Sequence, residues 1–330
     1  YAAYRYTKTR IILLMRLKTE HEQRVNMENM NQQKINFFTY ISHDLKTPLT
    51  LILSPLQRLI QQPQISNNDK EKLEVIYRNA NRMNYLINEL LTFSKIEMKQ
   101  MHISVRKGDI MHFLEELSHI FDIVAGEREI DFIVSLEDTK EEVWFSPSKL
   151  ERILYNLLSN AFKYTQPGGY VRLSAKLIKE EKETMVQISV KDSGRGIPKD
   201  VQEQIFESYY QVEKRDHREG FGLGLSLTRS LIHMHKGEIR VESEVNKGSD
   251  FIVTLNVSED AYAPDERSSE NITTEEIQKY NQRIKETIEL IPEKLTNKEK
   301  DSGRESIMIV EDNKEMNDYL ASIFGEKYDI

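Results

Sequence analysis

For its first hundred residues the chain places apolar side chains every three or four positions. After that it places them in short alternating runs. Ile41, Leu45, Leu49, Ile52, Leu56 and Leu59 fall on one helical face, and residues 11–62 read as one long helix. Residues 61–69, with Pro63, Ser66, Asn67, Asn68 and Asp69, carry helix stop and start signals and predict a turn. Leu73, Ile76, Ala80, Met83, Ile87, Leu90 and Phe93 then alternate spacings of three and four, which is a heptad seam on a second helix. Two such helices form a hairpin with a broad apolar face. Dimerisation into a four-helix bundle would close that face.

Beyond residue 99, strands are expected at 102–106, 130–135, 170–178, 185–191, 238–243 and 250–256. Helices are expected near 109–125, 148–164 and 223–235. This mixture over about 150 residues reads as one α+β domain. Residues 257–305 are polar, with Pro264, Ser268 and Ser269, and predict a linker. It holds one helix at 274–288, where Thr274 is a cap and Glu275 and Glu276 suit the first turn. A buried-type strand at 307–310 follows, then Glu311, Asp312 and Asn313 and a helical run through Phe324.

A length of 330 residues allows two or three domains, and a 38% hydrophobic share is enough for a real core. The net charge of -8 and the lack of a basic stripe argue against direct nucleic-acid binding. The absence of cysteine excludes disulfides, thiol catalysis and cysteine-bound zinc, and permits a reducing cytosol. A membrane span needs roughly 20 apolar residues, and the run at 11–15 is far shorter. Arg5, Lys8, Arg10, Arg16 and Lys18 flank it. The run is either an ordinary helix start or the cytoplasmic exit of a membrane helix lying upstream. A chain opening on Tyr1 rather than Met reads as a fragment.

Four constellations carry chemistry. His43 and Asp44 lie in the first helix, followed by Thr47 and Pro48. Imidazole accepts a phosphoryl group near neutral pH because one nitrogen is unprotonated. The adjacent carboxylate can take the proton of the other nitrogen. His43 projects off the seam, towards solvent and a docking partner. A lone His-Asp pair reads as surface; Thr47-Pro48 and the heptad context favour the chemical reading. Pro48 tends to kink a helix, at a cost of roughly 3 kcal/mol. Asn156, Asn160 and Lys163 share one side of a helix. Amide oxygens are neutral ligands that suit magnesium, and a lysine adds a point charge for phosphates. The plain alternative is a polar helix face, but Ile153, Leu154, Leu157 and Leu158 bracket Asn156 with core positions. Asp192 ends a strand and precedes Gly194 and Gly196, so a carboxylate able to accept from an exocyclic amine stands beside backbone that can approach a flat base. Gly220, Gly222 and Gly224 open a helix, a phosphate-binding arrangement of weak specificity on its own. A phosphate acceptor upstream of a donor site suggests ATP-dependent phosphorylation of a histidine.

In order, these boxes resemble the sensor histidine kinases of bacterial two-component systems. The likeness runs from about Lys34 to Asn256 and includes the phenylalanine box Ile205, Phe206, Tyr209 and Tyr210, with Tyr209 in place of the usual Phe. The resemblance implies five parts. They are a juxtamembrane signalling helix (1–33), a dimerisation and histidine phosphotransfer hairpin (34–99), a Bergerat-type α/β-sandwich ATP-binding domain (100–257), a linker (258–305) and the start of a truncated receiver domain (306–330). It implies His43 as phosphoacceptor, Asp44 as base, and Thr47 in dephosphorylating a partner. Asn160 would hold Mg2+, with Asn156 beside it at the phosphates. Lys163 and Tyr164 would line the phosphate and sugar side, and Asp192 would read adenine. Gly194, Gly196, Ile197, Phe206, Gly220, Gly222, Leu223, Gly224 and Leu225 would complete the ATP site. The expected whole is a homodimeric autokinase, the cytoplasmic portion of a bacterial inner-membrane protein held by an upstream segment. It would pass phosphate to a receiver Asp, its own or a separate regulator's. Its rivals are a non-catalytic dimeric scaffold and another ATPase of the same nucleotide fold.

Overall fold

The computed structural model describes residues 44–60, 62, 65–98, 100–180, 183–210 and 222–288, with a few positions between 307 and 328. The chain divides into two compact units: residues 1–80 with 87–101, and residues 81–86 with 102–330.

The first unit is helical. Residues 44–60 form α1, and α2 spans Asn67–Glu97. Ser66 caps α2 by accepting from the Asp69 amide at 3.2 Å. Pro48 and Pro55 both lie inside α1. Leu49 and Leu56, seven residues apart, are buried. Leu45, Ile52 and Leu59 form a neighbouring stripe at the same spacing and stand 40%, 46% and 39% exposed. Ile76 and Met83 on α2 are likewise exposed. The apolar face expected to seek a second copy is therefore part buried and part exposed.

The second unit is built on a mixed five-stranded sheet in the order β2-β4-β5-β7-β6. Its strands are β2 (Asp131–Leu136), β4 (Tyr170–Lys179), β5 (Thr184–Asp192), β6 (Glu238–Glu244) and β7 (Gly248–Asn256). Only β2 and β4 run parallel; the other neighbours are antiparallel. Val171, Leu173 and Ala175 of β4 and Val186, Ile188 and Val190 of β5 are buried at every second position. Helices α3 (Ile110–Ser118), α4 (Ile120–Arg128), α5 (Pro147–Tyr164) and α6 (Gly224–Met234) pack beside the sheet, and Leu150, Leu154, Leu158 and Phe162 line the inner face of α5.

Four local expectations change. The strand expected at 102–106 starts at Arg106 as β1 (Arg106–Asp109) and pairs with an unexpected β3 (Glu142–Phe145). The helix expected at 109–125 is broken at His119, where the Ser118 hydroxyl turns back on the Glu115 carbonyl at 2.7 Å. The segment expected to be a linker is packed as far as α7 (Thr274–Ile288). Val105 bridges Arg267, Tyr262 is buried with its hydroxyl on the Asn256 carbonyl, and Ile277, Tyr280 and Ile284 of α7 are core residues. Finally, residues 307–309 are described without strand structure; Val310, Glu311 and Asp312 lie outside the described residues.

Candidate functional site

α5 is the element around which the expected nucleotide residues assemble. Its apolar positions fix one face in the core and leave Asn156, Asn160, Lys163 and Tyr164 along the adjoining edge, half-buried except for the more deeply placed Asn156.

The far end of α5 meets the loop after β5. Asp192 closes that strand and is 5% exposed. Its Oδ1 accepts from the Gly194 amide at 2.8 Å. Burial pushes its carboxyl above the ordinary carboxylate range. The amides of Gly194 and Ser249 oppose this by stabilising the charged form, while Asp250 adds to it. A side chain at Gly194 would strike the Tyr164 carbonyl, its Cβ falling 2.5 Å from the oxygen. Loop and helix end are therefore in backbone contact. The Arg195 guanidinium lies 4.4 Å above the Tyr164 ring, and the Lys163 ammonium lies 4.7 Å from the same ring.

The loop is also stitched to the β6–β7 turn. Ile197 donates to the Ser243 hydroxyl at 2.8 Å, and Asn246 donates to the Arg195 carbonyl at 2.7 Å. Gly196 has φ +68, and a Cβ there would fall 2.0 Å from the Glu244 carbonyl oxygen. At this crossing only glycine fits.

The middle of α5 meets the start of α6. Gly224 is the first residue of α6, with Leu223 buried just before it and Leu225 half-buried after it. Gly222 has φ +68, and its carbonyl accepts from Tyr209 at 3.0 Å. Asn156 donates through Nδ2 to the Thr228 hydroxyl at 2.7 Å. Phe206 is buried edge-on against Phe251, with the Arg229 guanidinium 6.0 Å from its ring centre, so its ring anchors the segment to β7. Gly220 lies outside the described residues.

On the hairpin, Asp44 and Thr47 are exposed and three residues apart on α1, which places them on neighbouring positions of one face. His43 lies outside the described residues. Among the described residues there is no cluster of three or more His, Asp or Glu able to hold a metal, and no helix long and apolar enough to cross a membrane. The donor set along α5 is nevertheless the kind magnesium accepts when phosphates supply most of its ligands, since two amide oxygens four residues apart are hard and neutral. Thr228 and Ser243 do not stand out in the sequence. Each acts through a partner 72 or 46 residues away, at Asn156 and Ile197, which no local pattern signals.

Two family models match the chain. Residues 33–99 match the His Kinase A (phospho-acceptor) domain. Residues 145–259 match the histidine kinase-, DNA gyrase B- and HSP90-like ATPase domain. "Histidine kinase P4" of Formosa agariphila is 33% identical over 98% of the chain, and "Sensor histidine kinase TmoS" of Ectopseudomonas mendocina is 32% identical over 94%. The chain spans only 24% and 32% of those two proteins. "Sensor histidine kinase WalK" of Bacillus subtilis is 33% identical over 71% of the chain, which spans 38% of it. Full-length ShkA in complex with AMPPNP shares the fold, with a TM-score of 0.58 over 68% of this chain and 46% of that one, at 24% identity. The phospho-acceptor hairpin, the ATPase sheet that follows it and these relatives agree: the chain belongs to the sensor histidine kinases.

Proposed function

We propose that this chain is the kinase core of an ATP-dependent histidine autokinase that phosphorylates His43 and hands the group to a receiver aspartate. The observation that carries the reading is the convergence on α5. The Asp192–Gly196 loop meets its Tyr164 end, and the Gly224 turn meets Asn156. Asn160 and Lys163 lie between those two contacts.

In this reading ATP and Mg2+ bind along that edge, and the nucleotide supplies the phosphoryl group. The buried Asp192 carboxylate accepts the hydrogen bond of the base's amine, and the Gly194 and Ser249 amides keep it oriented. Asn160 offers an amide oxygen to the metal, Lys163 a positive charge to the phosphates, and Tyr164 the flank of the sugar. At the hairpin Asp44 holds and takes the proton of one His43 ring nitrogen, so that the other carries a free lone pair. Thr47, one turn on, would orient water when the receiver is dephosphorylated. The exposed stripe of Leu45, Ile52 and Leu59 supports a homodimer. The receiver, appended or separate, and a membrane anchor upstream complete the proposed protein.

The test is transfer of labelled phosphate from ATP and Mg2+ to the purified chain, with His43→Gln and Asn160→Ala alongside. The expected label is acid-labile and base-stable, absent from His43→Gln and reduced at least 100-fold in Asn160→Ala, about 2.7 kcal/mol of lost transition-state stabilisation. Equal labelling of wild type and His43→Gln would sink His43 as acceptor.

A further inference from the structure

Three polar side chains stand in one row across the sheet. Asp192 at the end of β5 is paired with Ser249 of β7, and Ser249 with Ser243 of β6. Directly opposed residues of neighbouring strands share a face, so the row runs from the Asp192 carboxyl out to the edge strand. Ser243, at its far end, is the hub of a set of bonds whose directions are fixed by chemistry. The Ile197 amide can only donate, and it gives its hydrogen to the Ser243 hydroxyl at 2.8 Å. The Gly248 carbonyl can only accept, and it takes the hydroxyl's own hydrogen at 2.8 Å. The Ser249 hydroxyl lies 3.0 Å away; because the one hydrogen of Ser243 is committed, Ser249 is the donor there.

Gln202 closes the set. Its Nε2 donates to the Ile197 carbonyl at 2.9 Å and to the Ser243 carbonyl at 2.8 Å. Both partners only accept, so the nitrogen lobe of the amide must face them. Ile197 is thus held through its amide by one side chain and through its carbonyl by another. The loop that begins at Asp192 is pinned to β6 and β7 at its far end. Its near end is folded back by the Gly194 amide on the Asp192 carboxyl.

We propose that Ser243 and Gln202 are positioning residues for the purine base. They hold the 194–197 loop and the Gly248–Ser249 start of β7 in one register. Those two segments supply the Gly194 and Ser249 amides that aim the Asp192 carboxylate. The inference rests on the reading of Asp192 as acceptor of the base's amine; Ser243 and Gln202 act on the base only through that carboxylate and its loop. A hydrogen bond weakens steeply as its angle closes, so a loop free to shift loses the amine contact before it loses the rest of the nucleotide's binding.

The experiment is calorimetric titration of the full chain with ATP and with inosine triphosphate, both in excess Mg2+. Inosine triphosphate carries a carbonyl where ATP has its amine, so the ratio of the two dissociation constants reads the Asp192 contact. Wild type is expected to prefer ATP by about tenfold or more, the worth of one hydrogen bond to a charged group. Ser243→Ala should give up about tenfold of that preference, through weaker binding of ATP with little change for inosine triphosphate. A serine that merely supports the fold would lower the binding-competent fraction for both nucleotides alike. An intact ratio in Ser243→Ala therefore overturns the proposal, whatever happens to the separate affinities. If Ser243→Ala does not fold, Gln202→Met, which keeps the length and removes the donor, is judged by the same ratio. A wild-type chain that binds neither nucleotide overturns the function proposed above. One that binds both alike overturns Asp192 as reader of the base, and the positioning role with it, while labelling of His43 tests the kinase separately.

Discussion

His235 shows how much one buried side chain can fix. It is fully buried at the end of α6, with Nδ1 on the Leu231 carbonyl at 2.9 Å and Nε2 accepting from the Ser146 amide at 3.2 Å. Its own carbonyl receives the Asn256 amide, and the Tyr262 hydroxyl, which donates to the Asn256 carbonyl, lies 3.3 Å from it. One residue thus ties the start of α5, the end of β7 and the segment after it. The ring must be neutral to accept at Nε2. Burial, against the Leu231 contact and with help from the nearby Lys149 charge, pushes it down to about 4. An unfolded histidine titrates near 6.5, so the folded state gives up binding a proton. The resulting stability is complete above about pH 6.5 and is lost as pH falls towards 4, by about 3 kcal/mol in all. The check is urea unfolding at pH 7 and pH 4.5. His235→Gln should lose about 2 kcal/mol less than wild type over that interval, because the carboxylates common to both cancel. Equal losses would mean that His235 titrates normally. The boxes around Asn160, Asp192 and Gly224 were legible in the sequence because each is a contiguous string. The roles of His235 and Thr228 were not, because their partners lie 89 and 72 residues distant.

At the scale of elements the same contrast holds. The hairpin, α5, α6, β4, β5 and β7 are long enough for their periods to declare them, and the sheet's buried alternation follows from them. β3 is four residues long, too short to show a period, and β1 depends on it for pairing. α7 was expected at its observed bounds, and only its place in the core was not. It is polar by composition, yet Ile277, Tyr280 and Ile284 at spacings of three and four make one narrow apolar stripe. Tyr280 meets Phe113 edge-on at 5.9 Å, and the Arg106 guanidinium grips Glu276 with two bonds of 2.8 and 2.6 Å. A tether would tolerate substitution there within about 0.5 kcal/mol. A core helix would not: Tyr280→Ala is expected to lower unfolding stability by about 3 kcal/mol. Denaturant unfolding of the variant decides the matter, and a shift below about 0.5 kcal/mol would return the segment to the status of a tether.

At the scale of the whole molecule the hairpin poses the question of what covers its second stripe. Leu49 and Leu56 are buried; Leu45, Ile52 and Leu59, about fifty degrees round the same helix, are exposed. A second copy would offer the same stripe back about a two-fold axis, and four such helices bury it continuously. The strength of that closure can be estimated. Burying one large aliphatic side chain yields about 1.5–3 kcal/mol, and a charge at the same place must be desolvated as well. Ile52→Glu should therefore raise the dimer dissociation constant by roughly 100-fold or more, since about 2.7 kcal/mol corresponds to that factor. Sedimentation equilibrium of the full chain measures it directly. Gln57→Glu is the fitting control, because residue 57 is exposed and lies about 140 degrees from the stripe, so the same new charge there should leave the constant unchanged. If both variants dimerise like wild type, the second copy does not cover this stripe, and the proposed closure of the bundle over Leu45, Ile52 and Leu59 falls. If Ile52→Glu alone becomes monomeric, labelling of His43 in that monomer then reports whether the hairpin needs its mate to present the histidine.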